Sequence, residues 1–348
     1  MNRKKLDEMF AKTGVEVLIS EAPQTRLWYA GVQTTDGFIA IEKDKATLFV
    51  DGRYIEYAQK NAKNVEIVLI KGDAVKNWFA AKNFKKIALE KEYLVKQVQD
   101  QILSWVNPDH IEWVSAQHLR ILKDDGEIEL IQRAVDISMQ ALKELKEWIK
   151  PGMSEKEVAF KLNYLLKLKG AEKEGFEEIV ATAEASAEPH HHPTDKKLVN
   201  NNLLKIDFGA QYKGYTADIT RTFILGDEKL ANPKQLEILE IVKEAAAAGR
   251  KAVRPGIKAS QIDKVCRDYI EAKGYGQYFV HSTGHGLGID VHEFPNVSKF
   301  SDYVLEPGMI ITVEPGIYIE GLGGARIEDD VLVTENGYYV FSRPNENK

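Results

Sequence analysis

Two opposed pairs of acids and one histidine-rich loop are where this sequence could do chemistry. The run 203–210, the segment Gln211-Tyr212-Lys213-Gly214 and the run 215–224 read as a hairpin. A tight turn centred on Tyr212 and Lys213 predicts Asp207 directly opposite Asp218, with Cβ atoms about 5 Å apart. Like charges in that position are destabilising unless a cation lies between them. Further on, 309–314 is an apolar run ending in Glu314, and 325–333 is a second run that carries Glu328. Gly321-Leu322-Gly323-Gly324 between them is a turn signal, and the two glutamates are equidistant from Gly321. A lone acid in a strand is usually a solvated edge charge. Two hairpins that each oppose a pair of acids point instead to a shared cation site.

Residues 281–293 hold three of the eight histidines, His281, His285 and His292, interleaved with Gly284, Gly286 and Gly288. Glycine permits close backbone approach there. Such a loop suits a metal ligand with proton-transfer groups beside it.

These residues need a scaffold, and the hydrophobic pattern predicts one. Short apolar runs at 15–20, 37–41, 46–50, 65–70 and 86–89 read as strands, and 73–81 and 91–106 as helices. That is an α/β domain of residues 1–120, with a join near 119–125. Residues 121–348 then open on long helices. Asp124 or Asp125 caps the first, with Glu127 and Glu129 in its opening turn. Pro151-Gly152 ends it, and Ser154 with Glu157 forms a capping-box pattern for the next. Later helices are predicted at 233–250 and 260–272, the remainder being strand and loop.

Bulk composition excludes several function classes. The 348 residues carry a formal net charge of -6, with 44% hydrophobic and 29% charged side chains. There is no basic footprint for nucleic acid and too little bias for disorder. The lone cysteine, Cys266, cannot form an intrachain disulfide, which fits a reducing compartment. No apolar leader and no span of about 18 apolar residues is seen, so the cytoplasm is the expected address and no membrane is expected as a partner.

The blocks Asp207-x-Gly-x-x-Tyr-x-Gly-Tyr-x-x-Asp218-x-Thr-Arg-Thr, His281-x-x-Gly-His285-Gly-x-Gly-x-x-x-His292-Glu, Glu314-Pro-Gly-Ile-Tyr and Arg326-Ile-Glu328-Asp resemble the pita-bread metallopeptidases. Among these the sequence is most similar to the Xaa-Pro peptidases, aminopeptidase P and prolidase. Residues 48–54, Leu-Phe-Val-Asp-Gly-Arg-Tyr, resemble the creatinase-type N-terminal domain. The resemblance implies a creatinase-like α/β domain followed by a pita-bread catalytic domain. It implies two divalent metals on Asp207, Asp218, His285, Glu314 and Glu328, with Asp218 and Glu328 bridging and Glu314 as general base. Four carboxylates would balance two such ions, and the ligand types favour Mn²⁺, then Co²⁺ or Zn²⁺. The reaction implied is hydrolysis of the Xaa-Pro bond of short peptides, with proline at the second position, by a hydroxide shared between the metals. His281 and His292 match positions that bind substrate and stabilise the transition state, and Arg326 would orient the carboxylates around it. In the family a substrate-contacting histidine follows a proline. That selects His190 after Pro189 and leaves His191 and His192 as solvated loop residues. Ala183, Ala185 and Glu188 depart from the family pattern. A homodimer is likewise implied. The alternatives are a methionine aminopeptidase-like enzyme, against which the large N-terminal domain argues, and a metal-free binding module or creatine-hydrolase-like enzyme on the same fold, whose relatives lose ligands kept here.

Overall fold

In the first 122 residues, short apolar strands alternate with helices, and the strands join in one sheet. The computed structural model describes residues 1–344 of the chain. It divides into two units, Met1–Leu122 and Lys123–Lys348. In the first unit, β1 (Val17–Ser20), β2 (Phe38–Glu42), β3 (Ala46–Val50), β4 (Glu66–Leu69), β5 (Lys86–Glu90) and β6 (His110–Val114) lie in the order β4-β3-β2-β1-β5-β6. β1 runs antiparallel to β2 and parallel to β5. Helices α1 (Lys4–Thr13), α2 (Pro23–Ala30), α3 (Ile55–Asn61), α4 (Ala74–Lys82), α5 (Lys96–Val106) and α6 (Ala116–Leu119) complete it. Stacked Phe38 and Phe49, 4.3 Å apart, and Phe79 centre its core. The sequence reading had no place for α1, α2, α3 or β6. α2 buries Thr25, Arg26, Trp28, Tyr29 and Ala30, too much of its circumference to show an apolar stripe. α5 starts at Lys96, five residues later than expected.

The second unit opens on α7 (Asp125–Trp148) and α8 (Glu155–Leu168), each begun by a complete capping box, Asp124 with Glu127 and Ser154 with Glu157. Each box satisfies two of the helix's orphan N–H groups. Three strands, β7 (Lys173–Glu174), β8 (Ile179–Thr182) and β9 (Asn202–Phe208), precede β10 (Ala210–Tyr212), β11 (Tyr215–Thr216) and β12 (Ile219–Leu225). They form two small sheets, β11-β10-β7 and β12-β9-β8. After α9 (Pro233–Ala252) and α10 (Ala259–Ala272) come β13 (Gly284–Gly286), β14 (Glu293–Val297), β15 (Ile310–Val313), β16 (Gly316–Ile319), β17 (Gly323–Arg326), β18 (Asp329–Val333) and β19 (Tyr338–Val340). Five of these form the sheet β14-β13-β15-β18-β19, and β16 pairs with β17. The mixed α/β (α+β) architecture is the one expected. No described helix is long and apolar enough to cross a membrane.

One register expectation is overturned. Asp207 pairs with Thr220, not Asp218, and Tyr212 with Tyr215. The turn centres on Lys213 and Gly214, whose φ angles are 47° and 80°. Left-handed values at both central residues match the right-handed twist of a hairpin, and a glycine at the second position makes them accessible. Asp218 therefore lies just before β12, in the break between β11 and β12. The second hairpin keeps its expected register. Val313 pairs with Asp329 and Gly316 with Arg326, so Glu314 and Glu328 oppose each other in the gap between two paired stretches.

Candidate metal centre

β9 and the β11–β12 break deliver the two aspartates; the gap beyond β15 and β18 delivers the two glutamates; β13 delivers the imidazole. All five side chains line one cavity of about 470 Å³, and His190, His281, His292 and Arg326 line it too. Single ligand atoms of Asp218, His285 and Glu328 lie within 4.8 Å of one another. Nε2 of His285 stands 3.5 Å from Oδ2 of Asp218 and 3.4 Å from Oε1 of Glu314.

The protonation pattern is one that a cation would complete. His285 Nδ1 lies 3.0 Å from the Gly286 carbonyl, which can only accept. The proton therefore sits on Nδ1, and the Nε2 lone pair faces two carboxylates. Burial, then nearby His292, pushes the His285 pKa down to about 3, which keeps the ring neutral. Burial pushes Glu314 up to about 8. Asp218 and Glu328 are raised well above the ordinary carboxylate range, Asp218 by burial first and then by Asp207, Asp330 and Glu314, Glu328 by burial first and then by Asp218, Glu314 and Asp207. Asp207 Oδ1 is buried without a hydrogen-bond partner, as is Oδ1 of neighbouring Asp330. Buried lone pairs that converge without donors fit hard divalent cations.

Arg326 ties this set to the rest of the cavity. It is 3% exposed. Its Nη2 donates to Asp207 Oδ2, its Nη1 to the Tyr318 hydroxyl (2.8 Å) and the Pro189 carbonyl (3.1 Å), and its Nε to Thr220 Oγ1 (2.9 Å). Thr220 passes its own proton to Glu328 Oε2 at 2.6 Å. Nδ1 of His281 donates to the Ser282 carbonyl at 2.7 Å, so its Nε2 accepts from Tyr318 at 2.8 Å. Both nitrogens of His281 are thus engaged inside the protein, and it acts on the cavity through Tyr318. His190 and His292 are exposed on the cavity side.

His191 departs from the solvated loop residue expected from the sequence. It is 8% exposed, with Nδ1 2.6 Å from Glu188 and Nε2 2.9 Å from the fully buried Glu155. Glu155 also accepts from the Thr182 and Thr194 backbone N–H groups and the Thr194 hydroxyl. His192 is exposed, as expected, with Nδ1 3.4 Å from Glu177. A second buried group holds the same loop: Lys205 Nζ donates to the carbonyls of Ser186 and Glu188 and sits 5.1 Å from the centre of the Tyr318 ring. Tyr318, Thr220, Lys205 and Glu155 were not found from the sequence. The available signals were Tyr318 within Glu314-Pro-Gly-Ile-Tyr and a lysine flanked by apolar residues, Leu204 and Ile206, in β9.

Comparison with known proteins gives the family rather than the individual site residues. A model of "Metallopeptidase family M24" matches residues 129–335, and one of "Creatinase/Prolidase N-terminal domain" matches 2–121. An Xaa-Pro dipeptidase of Pyrococcus furiosus is 37% identical over 352 residues, covering 96% of this chain and 95% of the relative. Among solved structures, an Xaa-Pro dipeptidase from Bacillus anthracis superposes with a TM-score of 0.92 at 37% identity, covering 98% of this chain and 96% of that one. An X-Pro aminopeptidase from Thermotoga maritima gives 0.90 at 34% identity, covering 97% of each.

Proposed function

This chain belongs to metallopeptidase family M24 and carries a creatinase/prolidase N-terminal domain, and from that premise we propose that it hydrolyses Xaa-Pro bonds of short peptides with two divalent metal ions. The observation that carries the proposal is the neutral His285, whose Nε2 lone pair faces the carboxylates of Asp218 and Glu314 inside a cavity that also takes in Asp207 and Glu328. The names of the relatives, dipeptidase and aminopeptidase of Xaa-Pro substrates, support the bond cleaved. Asp207, Asp218, His285, Glu314 and Glu328 would hold the ions. The ligand set favours Mn²⁺, with Co²⁺ and Zn²⁺ next.

When bound, two such ions would lower the pKa of a coordinated water and polarise the scissile carbonyl. The protein's own groups do the rest. Glu314, at the cavity wall beside His285, takes the proton of the attacking water and passes it to the leaving nitrogen. His292 and His190, exposed to the cavity, orient the peptide. His281 holds the Tyr318 hydroxyl in place, and Arg326 fixes the rotamer of Asp207. The lone Cys266 suits a reducing compartment such as the cytoplasm, and the family resemblance implies a homodimer; cell fractionation and light scattering read the two.

The test is hydrolysis of Ala-Pro and Met-Ala peptides by the purified protein with Mn²⁺, then with a chelator, then with Mn²⁺ restored. Ala-Pro cleavage that is lost and regained supports the proposal. Cleavage of Met-Ala alone moves the enzyme to the methionine aminopeptidases, and indifference to the chelator rejects the metal site. Asp218→Ala should abolish activity and metal uptake together; full activity in that variant would reject the ligand assignment.

A further inference from the structure

Among the described residues, the cavity has no guanidinium or ammonium group to spare for a substrate carboxylate. Among the described residues lining it, Arg326 is the one guanidinium or ammonium group. Its Nε and both Nη atoms already donate, to Thr220, Tyr318, Pro189 and Asp207. The four carboxylates assigned to the metals would balance two divalent ions and leave no surplus positive charge. Glu177 and Glu178 on the same wall add acid, not base. A free Xaa-Pro dipeptide carries its carboxylate directly on the proline, one residue from the bond that breaks, and so would bring it into this cavity. A carboxylate removed from water without a cationic partner is strongly disfavoured. In a longer peptide the same position is a neutral amide.

The cavity also continues. Asn296 lines it, and Asn296 lines a second cavity of about 470 Å³ together with Ser298, Phe300, Ser301, Asp302 and Tyr303. Asn296 is exposed on β14, the outermost strand of its sheet. Its carboxamide offers both a donor and an acceptor to a peptide bond. Phe300 is 82% exposed, and Tyr303 is stacked on Phe294 of β14 at 5.9 Å. A carboxamide, hydroxyls and a largely exposed aromatic ring, which Lys299 Nζ approaches to 4.8 Å, match in sequence the chemistry of peptide main chain and apolar side chain.

We propose that the site selects peptides that continue past the proline, with Asn296 and Phe300 receiving the residues beyond it, and that it works against free dipeptides. This rests on the Xaa-Pro reading above. The experiment compares three substrates of the Mn²⁺-loaded protein: Ala-Pro with a free carboxylate, Ala-Pro amide and Ala-Pro-Ala-Ala. The amide differs from the first only in charge. Its kcat/KM should be higher by about tenfold or more, as expected where a site leaves a charged group unpaired. The tetrapeptide should be cut faster still, and Asn296→Ala and Phe300→Ser should each erode that further gain through KM. The free dipeptide cut as well as or better than the amide overturns the charge argument. A tetrapeptide advantage untouched by both substitutions overturns the second subsite. Cleavage of none of the three by folded, Mn²⁺-loaded protein overturns the Xaa-Pro reading itself, a distinct result.

Discussion

At the scale of single residues, Arg326 has the most partners in the centre. One planar fork reaches Asp207, Tyr318, Pro189 and Thr220, and through Thr220 it reaches Glu328. An ammonium has three donors and no fixed plane, so it cannot span that set. Arg326→Lys keeps the charge, yet should lower kcat/KM by about 100-fold, the scale of a small misplacement of reacting groups; near-normal steady-state rates would show that the fork is dispensable. His191 gives a second prediction at this scale. Held between Glu155 and Glu188, it fixes the backbone that presents His190. His191→Ala should raise KM more than it lowers kcat, and in a His190→Ala background it should add nothing. A double-mutant cycle reads this directly: coupled residues give non-additive losses, and strictly additive losses would mean that His191 acts elsewhere.

At the scale of elements, β18 separates two charge systems by alternation, since successive strand residues point to opposite faces. Asp329 accepts from Arg221 (2.7 Å), Arg250 (3.0 Å), Arg343 (2.8 Å) and Ser342. Asp330 accepts the backbone N–H of Asp218 at 3.1 Å. Burial alone would raise the Asp329 pKa; the guanidinium groups of Arg221, Arg343 and Arg250 outweigh it and hold the carboxyl below its ordinary 3.8. A depressed folded pKa contributes stability that is full above the unfolded value and lost as pH falls through the folded one. Asp329→Asn should therefore cost about 3–5 kcal/mol near neutrality, because it takes the counter-charge from buried Arg250 and from the partly buried Arg221 and Arg343. That deficit should shrink as the pH drops below about 4. Chemical denaturation of both proteins across pH checks it, and a deficit independent of pH would reject the ionic account. The same scale shows what was legible in the sequence. The capping boxes at Asp124 and Ser154 were, because donor and acceptor lie three residues apart. The first hairpin was misread by two residues of register, because the position of the turn depends on Lys213 and Gly214 adopting left-handed angles rather than on where the apolar runs end. Ala183 was recognised as departing from the family pattern, and its φ is 51°, a value that favours glycine. The role of Arg326 beside the carboxylates came from the resemblance, not from periodicity, and the Lys205–Glu188 contact was not legible at all: it joins groups from separate elements, and no local period encodes such a meeting. The resemblance of four separated motif blocks supplied the ligand list that periodicity alone did not.

At the scale of the whole molecule, every residue proposed to hold a metal lies in the second unit, Lys123–Lys348, while the first unit has its own sheet and aromatic core. Separate cores open separately, each with its own local free energy. A ligand stabilises what it binds by RT ln(1 + [L]/Kd), about 2.7 kcal/mol at a hundred times Kd. Saturating Mn²⁺ should therefore slow amide exchange by about 100-fold in the protected strands β9, β12, β15 and β18, which carry or flank the ligands. Strands β1 to β6 should exchange at the same rate with and without the metal. Hydrogen–deuterium exchange with peptide-level mass spectrometry makes the comparison in one sample. Asp218→Ala serves as the control, since a variant without the site should show no slowing anywhere. Equal slowing in both units would mean that they open together, and slowing confined to the first would place the metal outside the centre described by Asp218, His285 and Glu328.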